Sequence, residues 1–196
     1  MSRTASITRK TSETDILVTL DLDGAGKTEV STGIGFFDHM LTAFGRHGLF
    51  DLTVSATGDL HIDAHHTVED VGIVLGQAVR EALAEKRGIT RFGHAIVPMD
   101  EALVEAVIDL SGRAHLSWHV AFESQMLGSM DTQLFREFFT ALAGNGLFTV
   151  HITQKAGQNT HHVAEAAFKA VARALKMAVA IDPRIAGEIP STKGAL

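Results

Sequence analysis

The chain has 196 residues, 45% apolar and 20% charged, which suits one large domain or two small halves sharing a core. Its formal charge of -6 argues against a strongly basic face for nucleic acid, while leaving room for a local basic pocket. The absence of cysteine removes disulfides, thiolate metal sites and a cysteine nucleophile together, and fits a reducing, cytoplasmic compartment.

The opening stretch MSRTASITRKTSET is polar with no apolar h-region, so no secretory signal is expected. No apolar run approaches membrane-spanning length, and no membrane partner is expected. Ile16, Val18, Leu20 and Leu22 alternate and predict a strand, and DGAG at 23–26 reads as a hairpin turn after it. GFFDHMLTAFGRHG carries Phe37, Leu41 and Phe44 at helical spacing. FDLTVSAT reads as a strand, and a long helix starts near His65 with Val68, Val71, Leu75, Val79 and Leu83 placed for burial. The pattern then returns. Val104, Ala106, Ile108 and Leu110 alternate, a helix is expected from Thr132 to Asn145, and a long helix starts near His161 with Ala164, Phe168, Val171 and Leu175 on one face.

That return is an internal repeat. GLFDLTV at 48–54 matches GLFTVHI at 146–152, and the same register puts Phe37 on Phe135, Thr42 on Thr140 and Ala43 on Ala141. A two-residue deletion then puts His65, His66 and Glu69 on His161, His162 and Glu165. Upstream, DLDG at 21–24 falls on DLSG at 109–112, and Glu13 on Glu101. The expected organisation is a first half-repeat at 1–90 and a second at 91–196, together one compact α+β domain with helices on one face of each sheet.

Both His-His pairs fall at the start of a long helix. Successive helical residues point about 100° apart, so adjacent histidines serve two metals more easily than one. Residues four apart share a face, so His65 can converge with Glu69, and His161 with Glu165. A single His-His pair at a helix start is more often a cap or a packed histidine than a ligand. The duplicated His-His-x-x-Glu reverses that balance and points to two related metal sites, with ligands exchanged between halves or between subunits. His39 adds a third histidine, and its repeat counterpart is Glu137. Imidazole with carboxylate and no sulfur suits Mn, Fe, Zn, Co or Ni.

Other motifs fail on inspection. GKT at 26–28 lacks the first glycine of a phosphate loop, because position 21 is Asp21. DLDGAG lacks a calcium loop's terminal glutamate, because the twelfth position is Thr32. Arg91, Arg113, Lys169 and Lys193 are each more often surface charges. As a set with the terminal PSTKGAL, whose hydroxyls, ammonium and backbone N–H groups can wrap an anion, they suggest a phosphate subsite.

GIGFFDHML, DLHIDAHHTVEDVGI, NTHHVAEAAFKAVARAL and PSTKGAL closely resemble the imidazoleglycerol-phosphate dehydratase family over essentially the whole chain. The resemblance implies a duplicated half-domain of four-stranded sheet plus helices (ribosomal protein S5 domain 2-like) and a 24-subunit shell with active sites between subunits. It implies two Mn2+ per active site. One would be held by His39, His65, Glu69 and His162, the other by His66, His161 and Glu165 with Glu137, where some relatives have histidine. It further implies phosphate contacts at Arg91, Arg113, Lys169, Ser191 and Lys193, with Thr192 beside them, and a substrate-contacting Glu13 proposed as acid/base. The implied reaction removes water from imidazole glycerol phosphate through a di-manganese-bound imidazolate, a lyase step in histidine biosynthesis. The catalytic set so implied is Glu13, His39, His65 and Glu69. Two other readings stay open: a two-metal hydrolase of a phosphate ester, and a non-catalytic protein whose metal only staples subunits.

Overall fold

A computed structural model describes residues 3–185 and 187–196 of the chain. Met1 and Ser2 of the expected first half and Ala186 of the second lie outside the described residues. The first half runs β1 (Thr4–Lys10), β2 (Thr14–Asp21), β3 (Thr28–Ser31), α1 (Gly35–Gly48), β4 (Asp51–Gly58) and α2 (His65–Leu83). The second half repeats this as β5 (Phe92–Met99), β6 (Ala102–Asp109), β7 (His115–His119), α3 (Leu134–Gly146), β10 (Thr149–Ala156) and α4 (Thr160–Val179). A small hairpin, β8 (Met126–Leu127) with β9 (Met130–Asp131), is inserted before α3.

The two sheets have the same order, β1-β2-β4-β3 and β5-β6-β10-β7. In each, three strands are antiparallel and the last pairs parallel with the strand beside it. Alternation explains which face is covered. Ile16, Val18 and Leu20 of β2 and Val104, Ala106 and Ile108 of β6 are buried, and their neighbours in sequence point outward.

One local expectation is corrected. DGAG does not close a hairpin, because β2 and β3 do not pair; β4 lies between them. The turn wraps the start of β4 instead, with the N–H groups of Ala25 and Lys27 both donating to Asp51 Oδ1 at 2.8 Å. The motif is a hairpin signal only when the flanking strands are neighbours.

The helices of the two halves meet in the middle and cross-pair: α3 packs on α2, and α1 packs on α4. The α2–α3 crossing is close. A Cβ at Gly72 would come within 2.7 Å of Phe138 O, and one at Gly76 within 2.6 Å of Leu142 O. On the α4 side the space is filled by aromatic packing, with Phe168 stacked on Phe138 at 5.2 Å and against Phe139 at 4.8 Å. This cross-pairing brings residues of one half to the helix that carries the His-His pair of the other.

Candidate metal centre

Helix α4 starts at a well-capped turn. The Asn159 side chain accepts from the N–H groups of His161 at 3.0 Å and His162 at 3.4 Å, satisfying two donors that a helix start leaves free. This fixes the first turn, so His161 and Glu165 lie one above the other. Helix α1 lies across that face and carries His39. The Nε2 atoms of His39 and His161 lie 3.0 and 3.1 Å from Glu165 Oε2. One donor atom from each of the three residues falls within 4.8 Å of the others, and no other such trio of His, Asp and Glu occurs among the described residues. Phe36 walls the cluster, with its ring edge-on to His161 at 5.0 Å.

Glu165 is buried, yet Lys169 one turn on donates to its other oxygen at 2.6 Å. Burial pushes this carboxyl up, but the hydrogen bond from Lys169 and then that from His39 outweigh it and bring it down to about 2. The carboxylate is therefore ionised at neutral pH, with two imidazole nitrogens aimed at one oxygen. Two nitrogens and one carboxylate oxygen, half-exposed on the histidine side, fit a divalent cation that would complete its shell with further ligands.

The first-half figure is looser. His65 Nε2 is 3.8 Å from Glu69 Oε2, and both side chains are over 40% exposed. A cleft of about 390 Å³ lies against His65, lined by Leu60, Asp63, Asp131 and Gln133 among others. Glu137 is half-buried on α3, the helix that packs on α2. As helical geometry requires, neighbouring histidines diverge: His65 and His66 rings are 6.0 Å apart and nearly perpendicular, His161 and His162 6.1 Å. His66 is held through Nδ1 by Asp59 at 2.9 Å, and His162 through Nδ1 by Glu101 at 2.7 Å. These carboxylates push both imidazoles above their usual value.

Within one chain, then, His39 stands with His161 and Glu165, not with His65, Glu69 and His162. The physical reason is the helix cross-pairing, which lays α1 on α4. The basic residues are also divided. Lys169 serves Glu165. Arg91 is half-buried, pairing with Asp109 at 2.8 Å and donating to Pro190 O at 2.8 Å, so it ties down the tail. Arg113 donates to Ser111 O at 3.4 Å, and Ser191 Oγ accepts from the Lys193 N–H at 3.2 Å. Thr192 and the Lys193 side chain are exposed. Glu13 lies in the turn before β2, half-exposed, with Oε1 3.9 Å from His66 Nε2. Sequence reading missed Asp59 and the role of Glu101. The second could be found from its repeat match to Glu13; the first only as an acid with no acidic partner in the repeat. Asp70, outside the duplicated figure, accepts from Arg9 at 2.9 Å and Thr14 at 2.5 Å and so ties α2 to β1 and β2.

A model of the imidazoleglycerol-phosphate dehydratase family matches residues 32–175. The chain belongs to the imidazoleglycerol-phosphate dehydratase family. It is 72% identical over 196 residues to the imidazoleglycerol-phosphate dehydratase of Acidiphilium cryptum and 68% identical over 196 residues to that of Granulibacter bethesdensis, in both cases spanning all of each chain. Its fold matches the crystal structure of the Staphylococcus aureus imidazoleglycerol-phosphate dehydratase with a TM-score of 0.83 at 37% identity, covering 91% of this chain and 99% of that one. It also matches the structure of IGPD from Pyrococcus furiosus in complex with (S)-C348, with a TM-score of 0.84 at 40% identity, covering 97% and 100%. As a member of this dehydratase family the chain is an enzyme, a lyase.

Proposed function

We propose that the chain dehydrates D-erythro-imidazole glycerol phosphate to imidazole acetol phosphate in histidine biosynthesis, with two Mn2+ in each active site. The observation that carries the metal part of this reading is the His39–His161–Glu165 cluster. We assign the remaining ligand roles to His65, His66, Glu69, Glu137 and His162. His65 with Glu69, and the outward Nε2 atoms of His66 and His162, are then ligand sets to be completed across subunit contacts. The assembly so proposed is a 24-subunit shell of cytoplasmic protein. No helix among the described residues is long and apolar enough to cross a membrane. Residues 1–90 and 91–196 are the two repeats, the second ending in a substrate-binding tail.

When bound, the two cations would take the ring nitrogens of the substrate and favour its electron-rich, deprotonated form. The residues of the chain then have three tasks. Glu13, half-exposed beside His66, takes the proton from the carbon next but one to the ring, and the electron pair of that C–H bond becomes the double bond of the enol. The hydroxyl on the carbon joined to the ring leaves as water, its departure aided by a nearby histidine, and the enol that remains becomes the ketone. Arg91, Arg113, Ser191, Thr192 and Lys193 hold the phosphate, with Lys169 steadying Glu165 at the same time, so that the glycerol arm lies in reacting position. The test is to supply Mn2+ and imidazole glycerol phosphate and to follow ketone formation with retention of the phosphate; release of inorganic phosphate instead would identify a hydrolase.

A further inference from the structure

The two halves hold their second histidine through different carboxylates. In the second half the holder is Glu101, in the turn between β5 and β6. Its Oε2 accepts from His162 Nδ1 at 2.7 Å, and its Oε1 accepts the Asn159 N–H at 2.9 Å. The repeat counterpart, Glu13, occupies the same turn between β1 and β2, but it faces Nε2 of His66 at 3.9 Å and holds nothing at Nδ1. That nitrogen is taken by Asp59, the first residue after β4.

The first residue after β10 is Gly157. Its φ is +107°, and a Cβ there would come within 2.5 Å of Ala102 Cα. No side chain fits at 157, and the carboxylate at His162 Nδ1 comes from the turn glutamate, with Asp100 of the same turn 3.8 Å from Nε2. The first half has an acid at this point, and the turn glutamate is left without a hydrogen bond to Nδ1, facing only Nε2 at 3.9 Å.

We propose that Asp59 is a positioning residue that holds His66 from the loop side and thereby leaves Glu13 free to face the substrate, while Glu101 is consumed in holding His162. The inference rests on the reading of Glu13 as the acid/base. It explains why a duplicated glutamate does chemistry in one half only. An imidazole that ligates through one nitrogen is oriented by what the other nitrogen donates to, so both holders also set metal affinity.

Mn2+ dissociation constants and kcat at saturating Mn2+ test this on the assembled protein. Asp59→Gly copies the second-half pattern. It is expected to weaken Mn2+ binding about 10–100-fold and to lower kcat as far as Glu13→Gln does, since Glu13 becomes the acceptor for His66. In the Glu13→Gln background the same change should cost no further kcat. Asp59→Asn keeps an acceptor and should stay within about threefold of the parent kcat. Glu101→Gln should weaken Mn2+ binding yet recover kcat when the metal is saturating. Additive kcat losses in the double variant, parent-like kcat in Asp59→Gly, or a Glu101→Gln variant inactive at saturating Mn2+ would each overturn the proposal. The last of these decides even where Asp59→Gly does not fold. A fully active Glu13→Gln variant would remove the acid/base reading itself, and the inference with it; an inactive Glu13→Gln beside an active Asp59→Gly would remove the inference alone.

Discussion

The same five-residue figure stands at the start of α2 and of α4, and the two copies reach different states of completion within one chain. At α4 the glutamate is buried, ionised and met by two imidazoles and an ammonium. At α2 the histidine and glutamate are 3.8 Å apart and open to solvent. The difference lies in the helix laid across each. Helix α1 brings His39 to within 3.0 Å of Glu165 on α4, whereas α2 is covered by α3, the helix that carries Glu137. A repeated motif thus specifies side-chain spacing, but the partner helix determines whether those side chains meet a further imidazole within one chain.

The largest expected effect breaks the completed copy. Glu165→Gln should lower kcat roughly a thousand-fold, about 4 kcal/mol of transition-state stabilisation, and atomic absorption should show Mn2+ content falling by roughly half. The apo protein should also change in Tm, because the buried carboxylate has three partners. Glu69→Gln should lose metal and activity in the same assays, but its half-exposed side chain should leave apo stability within about 0.5 kcal/mol. A large Tm change in Glu69→Gln would mean that the two copies are assembled alike.

The next effect is on pH dependence. Glu101 and Glu165 are brought down from 4.5 to about 2 in the folded chain, so the stability they contribute is present above 4.5 and lost as pH falls toward 2. His66 and His162 are raised above 6.5, so their contribution is present below 6.5 and lost as pH rises through the raised values. From these groups the apo protein should be most stable between those limits, and its Tm should decline as pH rises past 6.5. In excess Mn2+ the trend should reverse, because metal binding releases protons and strengthens as pH rises. Scanning calorimetry with and without metal reads both slopes. The smallest effect sharpens the contrast: Glu137→His should give α2 the imidazole that α4 already receives from His39 and tighten Zn2+ more than Mn2+, by about tenfold, measurable by competitive titration.

Much of this was legible in one dimension. The buried positions of α2 and α4 follow from the 3.6-residue period, and the duplicated His-His-x-x-Glu was visible because side chains four apart share a face whatever the rest of the fold does. The DGAG turn was misread because a hairpin signal is local, while the strand that separates β2 from β3 arrives more than twenty residues later, at Asp51. That His39 meets His161 and Glu165 within one chain was not legible for a related reason: which helix lies on which is decided by packing between halves. Asp59 carried no motif at all. Its meaning emerges only beside Gly157, where backbone conformation forbids the side chain that the first half uses.

The most direct test of the central claim is a single product analysis. The assembled protein, loaded with Mn2+, is given imidazole glycerol phosphate, and the products are followed by NMR. The expected result is the phosphorylated ketone, with no phosphate released, and loss of that product in Glu165→Gln. Inorganic phosphate, or unchanged substrate with both metals bound, would contradict it.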